Sequence, residues 1–468
     1  MPFAARAAEA DSPTAADMAD DIEILRQALE LHPGLYRYAS PRETEARVNR
    51  LARDWSGAPT LEARYLHLSR FLGTILCGHS YANFSNQRRA VAKALFDRPT
   101  RLPFRFVWVG GAMVVADDLQ PALPRGTVIE RIERLSPLAM RNALLPYARA
   151  DGRNDAKRVS LLEVRGGDSI EYFDVFQGLL FPPPNGVFRL EARLPDGDRK
   201  KVELPALDLA GRRAQRIAAP VPADGVEWNW TLRRDGVAVL RMPTWGLYNS
   251  KWDWRAWLEA RLDSLGGARG LILDIRTNEG GLDCGDPILA RLIDRPFTPP
   301  GYEQRLRFER TPKALDPHLD TWDNSFRTLG VGGKDLGTGF RLRPGGSAAV
   351  TIAPAASKLA LPIAALVSPV NSSATFQFAQ AARATGRIKL YGQPTGGNRR
   401  GINGGCFFFV RLPASGLEFD LPLVGYFART PQPDAGVLPD VDVRATAADI
   451  AAGGDVVIER AASDLLRA

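Results

Sequence analysis

The chain has 468 residues, more than one ordinary hydrophobic core holds, so we expect two to four domains. Hydrophobic residues make up 45% and charged residues 24% of it, a globular composition that excludes a disordered or fibrous chain, and no window approaches the ~20 apolar residues of a membrane helix. The net charge is +8, but 61 Lys and Arg and 53 Asp and Glu are interspersed. Because nucleic-acid binding needs basic residues gathered on one face or tail, we expect no nucleic-acid partner.

Three cysteines are too few for a disulfide framework, and no two form a Cys-x-x-Cys pair; they are Cys77, Cys284 and Cys406. The four histidines do not have the spacing of a helical metal pair, so no zinc site is predicted. The N-terminus lacks the apolar stretch of a complete signal peptide, yet its Ala-rich start is typical of the residues that follow one.

The N-terminal region, residues 1–94, is predicted to be helical from the three- and four-residue recurrence of apolar positions. The second helix covers residues 41–55, with Ser40 as its N-cap and Glu43 as the capping-box partner. A third helix covers residues 60–75.

The rest of the chain divides by composition into a β-rich region and an α/β region. Residues 95–210 carry short apolar runs between glycines and prolines, which predicts strands. Residues 211–468 alternate strand and helix patterns, which predicts an α/β core. Within that core, residues 295–358 are rich in Pro, Gly and charge, and we interpret them as a long surface excursion.

Two strand–helix–strand units are predicted in the core. The first has a strand at 236–242, a helix at 252–265 and a fully apolar strand from residue 270. The second has a strand at 363–367, a helix at 372–385 that Gly386 closes as a C-cap, and a strand at 388–391.

Hydroxyl groups stand where the strand at 363–367 passes into the following helix. A serine in a first helical turn lies among unpaired backbone N–H groups, and the helix dipole favours negative charge there. Such a serine can attack a carbonyl while the next amide binds the oxyanion. The segment by itself equally fits plain helix capping by Asn371, Ser372 and Ser373.

The strand from residue 270 ends in Asp-Ile-Arg-Thr-Asn-Glu-Gly-Gly, with Gly280 and Gly281 last. Free glycine amides at the carboxyl end of a buried strand stand where α/β proteins form their sites, and glycines let a backbone approach a substrate closely. An ordinary tight turn also accounts for this segment.

Four motifs occur in order: the Asp-x-Arg-x-Asn-x-Gly-Gly strand end, the serine-rich helix start, Gly392-Gln-Pro-Thr-Gly-Gly and Gly436-Val-Leu-Pro-Asp440. Together they resemble the C-terminal-processing (tail-specific) and tricorn-type serine peptidases. The resemblance implies a crotonase-like α/β core with an N-terminal helical layer and a degenerate PDZ-like domain at 95–210. It also implies peptide or protein substrates, no metal or organic cofactor, and a periplasmic or secreted location.

When the roles of the family's residues are carried over to this sequence one by one, the resemblance implies Ser373 as the nucleophile, with Ser372 as the fallback. The amide of Ala374 and one from Gly280 or Gly281 then form the oxyanion hole.

The general base cannot be the lysine of the processing branch, because this chain has Asn398 where that lysine follows the Pro-Thr-x-Gly turn. The tricorn-like branch takes a histidine from after the N-terminal helices, and His79 in Gly-His-Ser has that place. For the orienting acid, which is a glutamate in that branch, we expect Asp434, with Asp440 and Glu418 as alternatives.

Two other functions remain open from the sequence. Relatives on the same fold hold an apolar ligand without proteolysis, and a PDZ-type adaptor with an inactive hydrolase domain would bind peptides only. An activated serine distinguishes the peptidase from both, because only the peptidase reacts with a fluorophosphonate.

Overall fold

A computed structural model describes residues 15–167, 170–216, 227–346 and 351–467. The N-terminal stretch compared above with the remainder of a signal peptide lies outside these residues. In the described part of the chain, no helix combines the length and the apolar character needed to cross a membrane.

The N-terminal region is helical, as predicted. Its helices are α1 (Ala15–Leu29), α2 (Pro41–Gly57), α3 (Leu61–Gly73) and α4 (Arg89–Phe96). Ser40 and Glu43 form the predicted capping box, each side chain accepting from the other residue's backbone N–H. Helix α2 buries Val48, Leu51 and Trp55, which recur at three and four residues and so share one face.

The β-rich region is built around one antiparallel sheet. Its elements are β1 (Phe106–Val109), β2 (Ala112–Val115), β3 (Val128–Ile132), α5 (Pro137–Leu144), α6 (Asp155–Leu161), α7 (Tyr172–Leu180), β4 (Val187–Arg193), β5 (Arg199–Pro205) and α8 (Leu209–Ala214). The strands follow one another in the order β1-β2-β3-β4-β5. The PDZ-like character of this region stays a prediction.

The α/β core begins after residue 227. Its elements are β6 (Asn229–Leu232), β7 (Val237–Arg241), α9 (Trp254–Asp263), β8 (Gly270–Asp274), α10 (Asp286–Ala290), β9 (Tyr302–Leu306), β10 (Leu319–Asp320), β11 (Arg341–Leu342), β12 (Ile363–Val367), α11 (Ser373–Thr385), β13 (Ile388–Gly392), β14 (Asn403–Arg411), β15 (Glu418–Ala428), β16 (Val441–Asp442), α12 (Ala447–Ala452) and α13 (Val456–Leu465). Both predicted strand–helix–strand units are present, and Gly386 ends α11 in a left-handed conformation.

A six-stranded sheet in the order β16-β13-β12-β8-β7-β6 forms the centre of this core. All neighbours in it are parallel except β6 and β7. Strands β8 and β12 are buried along their whole length, which is why they appear in the sequence as continuous apolar runs. The α/β fold class predicted from the sequence is confirmed.

A second, five-stranded sheet has the order β10-β14-β15-β9-β11. Three of its strands, β9, β10 and β11, come from residues 295–358, so the interpretation of this segment as only a surface excursion was wrong. Short strands of two to five residues interrupted by Pro and Gly show too little alternation to be recognised in the sequence.

The buried clusters do not stop at residues 94 and 210. One hydrophobic cluster contains residues of the N-terminal helices, of the β-rich sheet and of β14 and β15. Two others fill the two faces of the six-stranded sheet. The division into segments 1–94, 95–210 and 211–468 therefore stays a prediction, because the first two segments share their core with part of the third. The three cysteines are buried and free.

Candidate active site

Strands β8 and β12 are parallel neighbours, with Asp274 opposite Leu366. Their carboxyl ends consequently lie side by side at one edge of the sheet, where the loops of open α/β sheets form sites. The loop after β8 ends in Gly280 and Gly281, and the loop after β12 leads into Ser373. The structure thus brings together the two motifs on which the sequence prediction rests.

Asn371 joins these loops through hydrogen bonds from a completely buried side chain. Its Nδ2 donates to the carbonyls of Ile275 and Asn278, and its Oδ1 accepts from the backbone N–H of Ser368 at 2.7 Å. The Asn371 carbonyl accepts from the amides of residues 396 and 397 in the Pro-Thr-Gly-Gly turn. A single residue therefore holds three motif segments together, and its side chain is not used for helix capping.

Ser373 is the first residue of α11 and has a φ of 50°. This left-handed conformation is uncommon for a residue with a Cβ and costs about 1–2 kcal/mol. Only three other non-glycine residues in the described segments have a positive φ, and one of them is Leu76, three residues before His79. Strain of this kind concentrates at functional sites.

The two serines differ in their environment. Ser372 is buried, and its hydroxyl donates to the Glu279 carbonyl at 3.1 Å without capping the helix. Ser373 is partly exposed, and its hydroxyl makes no hydrogen bond to the described residues. The geometry therefore favours Ser373 over Ser372 as a reactive group, and it speaks against capping as the role of either side chain.

Gly280 lies directly against the start of α11. A Cβ at this position would come within 2.8 Å of the Ser373 Cβ and 2.9 Å of the Ala374 amide nitrogen. At Gly281 a Cβ would lie 2.0 Å from the Trp245 carbonyl oxygen. Both glycines also have a positive φ, so each is required by its close contact and by its backbone conformation.

The three predicted amide donors are not equivalent. The amide of Gly280 donates to the Asn278 side chain at 2.9 Å. Those of Gly281 and Ala374 have no hydrogen-bond acceptor among the described residues. Ala374 follows the serine at the helix start, where N–H groups lack an intrahelical partner.

His79 lies in the turn that follows α3. The adjacent Gly78 donates its amide to Asp151 Oδ1 at 2.9 Å and accepts at its carbonyl from Arg149. The imidazole packs against the Phe407 ring at a centroid distance of 5.8 Å. Its Nδ1 is buried without a hydrogen-bond partner among the described residues. Burial lowers the pKa of His79, and the Asp151 carboxylate opposes this only in part.

Three charged side chains lie between the histidine turn and the serine loop. The carboxylate of Glu279 pairs with both Arg149 and Lys157. The Lys157 ammonium, which is fully buried, also donates to the carbonyl of Val370 at 2.8 Å. Burial would raise the pKa of Glu279, but the two cations hold it well below its ordinary value. Burial also lowers the pKa of Lys157, and its pairing with Glu279 opposes that shift.

These charges connect the turn of His79 to the segment of Ser373, through Gly78 and Ser372 and through side chains that sequence reasoning missed. Arg149 contacts both Gly78 and Glu279, and the Glu279 carbonyl accepts from Ser372. Arg149 and Lys157 belong to the β-rich region and carry no motif, so no sequence signal marked them. Their proximity to Glu279 results only from the packing of that region against the core.

The structure does not bring Asp434 to the histidine. Its Oδ1 accepts from Tyr38 at 3.0 Å and from Asn398, and no hydrogen bond joins it to His79 in the described part of the chain. Asn398 is buried, and its Nδ2 also donates to the Asp151 carbonyl at 3.2 Å. Asn398 therefore connects two loops, which agrees with the prediction that it is not a base.

The two alternative acids are engaged elsewhere. Asp440 accepts from the amide of Leu390 at 2.8 Å. Glu418 forms an ion pair with Arg411 at 2.7 Å. The carboxylate beside the histidine turn is that of Asp151, whose Oδ2 is buried and has no hydrogen-bond partner among the described residues. No motif indicated Asp151, because it lies 72 positions after His79 in a loop of the β-rich region.

Comparison with known proteins bears on the family and the fold. Residues 236–443 match the family described as Peptidase family S41. No curated protein sequence matches the chain significantly. Among solved structures, mature CPAF complexed with lactacystin is 16% identical with a TM-score of 0.63, and the match covers 97% of this chain and 98% of that one. This shows a shared fold.

Two further solved structures match with lower scores. The photosystem II D1 C-terminal processing protease is 15% identical with a TM-score of 0.41, covering 92% of this chain and 93% of that one. The tricorn protease is 16% identical with a TM-score of 0.39, covering 96% of this chain and 37% of that one.

The contact between Gly280 and the serine segment gives a first prediction. Replacing Gly280 with Ala is expected to slow labelling of the protein by a fluorophosphonate about 10²-fold, the usual effect of losing one oxyanion donor, since the new methyl group would crowd Ser373 and Ala374. The matched control is Gly57→Ala, where no atom lies within 4 Å of the added methyl. Equal labelling rates of both variants, with unchanged melting temperatures, would contradict this placement of Gly280.

Proposed function

We propose, on the premise that residues 236–443 belong to peptidase family S41, that this protein cleaves peptide bonds with Ser373 as the nucleophile and His79 as the general base. The match to this family supports a hydrolase of the tail-specific and tricorn type of serine peptidase. The single observation that carries the assignment of the nucleophile is the strained, unpaired Ser373 at the start of α11, with Gly280 in contact with it.

The proposed reaction follows the chemistry of an activated serine. His79 takes the proton from the Ser373 hydroxyl as the oxygen attacks the substrate carbonyl. The oxyanion that forms accepts from the amides of Ala374 and Gly281, which have no acceptor among the described residues. The protonated imidazole then gives its proton to the leaving amine, and water releases the acyl group by the reverse sequence.

His79 is a better candidate for the base than Lys157, although both lie near the serine loop. Lys157 is paired with the Glu279 carboxylate and donates to a carbonyl, so its protonated form is held in place. The low pKa of His79 keeps its imidazole neutral at neutral pH, as proton abstraction requires. An ion-paired ammonium has no free electron pair with which to accept a proton.

We propose that Asp151 is the acid that orients the imidazole, in place of Asp434. Two buried atoms without partners support this: Nδ1 of His79 and Oδ2 of Asp151. The other carboxylate oxygen of Asp151 is fixed by Gly78, next to the histidine. Catalytic hydrogen bonds are often incomplete without substrate and form in the complex. Asp434 then supports the site indirectly by holding Asn398, which donates to the Asp151 carbonyl.

The substrates we expect are peptides or proteins, and the location we expect is periplasmic or secreted, as for the family that the motifs resemble. Binding of an apolar ligand or of peptides without cleavage remains the alternative. It predicts a protein that a fluorophosphonate does not label.

The choice between Ser373 and Ser372 as the nucleophile gives the second prediction. The Ser373→Ala variant is expected to lose fluorophosphonate labelling and to lower peptide turnover about 10⁴-fold or more, because loss of a nucleophile removes the chemical step. The Ser372→Ala variant is the matched control, since its hydroxyl only donates to the Glu279 carbonyl. Loss of labelling in Ser372→Ala with retention in Ser373→Ala would move the nucleophile by one residue.

The base gives the third prediction. Turnover is expected to rise with pH through an apparent pKa below the usual ~6.5 of an imidazole and to be level at neutral pH, because burial disfavours protonated His79. His79→Ala should lower turnover about 10³-fold or more. His67→Ala on α3 serves as the control. An active His79→Ala variant whose turnover rises only above pH 8 would point to Lys157 instead.

The acid gives the fourth prediction. Asp151→Asn should lower kcat about 10²-fold, since the tautomer of His79 is no longer fixed. In the wild-type protein the Asp151 carboxylate raises the pKa of His79. Its loss should lower that pKa and so move the acidic limb of the pH profile to lower pH. Asp434→Asn should leave that limb in place. A purely structural role for Asp151 predicts loss of melting temperature without movement of the limb.

A further inference from the structure

A cavity of about 160 Å³ opens beside the candidate nucleophile. One of its walls is a face of α11 that includes Ala374, Phe378 and Ala381, which recur at three and four residues. Trp245 and Tyr426 line it as well. An apolar cavity of about 150 Å³ holds one benzene molecule, so this cavity is of a size to take one side chain.

The position of the cavity relates it to a bound peptide. It begins at Ala374, whose amide is a proposed oxyanion donor, and it is also lined by Trp245, which packs against Gly281. A carbonyl bound between these two segments has its own residue's side chain within reach of the cavity. The cavity is therefore placed to hold the side chain of the residue whose carbonyl is attacked, the P1 residue.

Two carboxylates, Asp283 and Asp286, line this space, together with the amide side chains of Gln304, Gln377 and Gln380. Neither carboxylate makes a side-chain hydrogen bond or an ion pair within the described part of the chain. Burial raises the pKa of Asp283, and burial together with the charge of Asp283 raises that of Asp286 to about 6. Asp283 is exposed and Asp286 is half-buried, so a cation in the cavity could pair with both carboxylates.

No basic side chain among the described residues forms an ion pair with Asp283 or Asp286. The charge of Arg255 partly opposes the rise in the pKa of Asp286, but its guanidinium stands over the Trp254 ring at 5.1 Å and forms no ion pair with either carboxylate. A second group in the wall also lacks a partner. Trp245 is completely buried, and its indole N–H has no acceptor among the described residues. The cavity therefore presents two carboxylates that have no ion-pair partner among the described residues.

We propose that this cavity is the P1 pocket and that it selects lysine or arginine. The aliphatic stem of such a side chain would pack against Phe378 and the other apolar walls, and its charged end would lie near Asp283 and Asp286. The proposal rests on the proposed function, because it takes Ser373 as the attacking group. An acidic P1 residue is disfavoured by repulsion, and a neutral one leaves the carboxylates unpaired.

The test compares quenched peptides that are identical except at P1, which is Lys, Arg, norleucine or Glu. Norleucine keeps the apolar stem of lysine and lacks the charge. We expect kcat/KM to be about 10- to 100-fold higher for Lys and Arg than for norleucine, the range expected for a hydrogen bond to a charged group, and lowest for Glu. In Asp283→Asn/Asp286→Asn, the ratio of kcat/KM for the Lys peptide to kcat/KM for the norleucine peptide should fall to about 1, and a retained ratio would contradict the proposal. Asp294→Asn, an exposed aspartate outside the cavity lining, is the control.

A binding measurement separates this proposal from the proposed function. Calorimetry with Ser373→Ala protein should detect benzamidinium, a ring bearing a cation, and should find at least 10-fold weaker binding of neutral benzamide. The double asparagine change on the same background should abolish the difference. If the protein cleaves peptides without preference for a basic P1 residue, the result overturns the pocket proposal and supports the proposed peptidase function. If no peptide is cleaved but benzamidinium binds through the two aspartates, the result contradicts the peptidase mechanism and supports the cation pocket.

Discussion

The hydrogen bonds of Asn371 are the constraint on which the candidate site depends. Its side chain satisfies two carbonyls of the loop after β8 and one amide of its own loop, and its carbonyl accepts from the Pro-Thr-Gly-Gly turn. A fully buried amide side chain is costly unless each of its polar atoms is paired. Because those partners belong to three different loops, the pairing also sets the distance between Gly280 and Ser373.

A second constraint comes from charge. Glu279 has its backbone in the loop after β8 and its carboxylate against Arg149 and Lys157 of the β-rich region. Removing the Glu279 carboxylate would leave the buried Lys157 ammonium without its counter-ion, a change that typically costs about 3–5 kcal/mol. The pairing therefore holds the β-rich region, with the histidine turn bound to Arg149, in a fixed position against the core. The candidate pair of Ser373 and His79, contributed by two distant parts of the chain, would need such a fixed position.

Strain and close contact occur together at this site. Ser373 and Leu76 both have left-handed backbones, and one stands at the candidate nucleophile and the other at the turn of the candidate base. Gly280 and Gly281 lie so close to their neighbours that neither tolerates a side chain. Such features lower stability locally and persist only where surrounding contacts determine the backbone. The Asn371 and Glu279 interactions are contacts of that kind.

The sequence by itself determined the helices α1 to α3, the parallel strands β8 and β12 with their crossover helices, and the positions of Ser373 and His79. These follow from local patterns, because apolar periodicity, caps and glycine turns act over a few residues. Only the tertiary structure decided that Asp151 and not Asp434 lies beside the histidine turn, and that Arg149 and Lys157 meet Glu279. It also decided that residues 295–358 contribute strands and that Asp283 and Asp286 line a cavity. Those pairings join residues far apart in the chain or on separate elements, and their energies come from packing and burial, which no local pattern records.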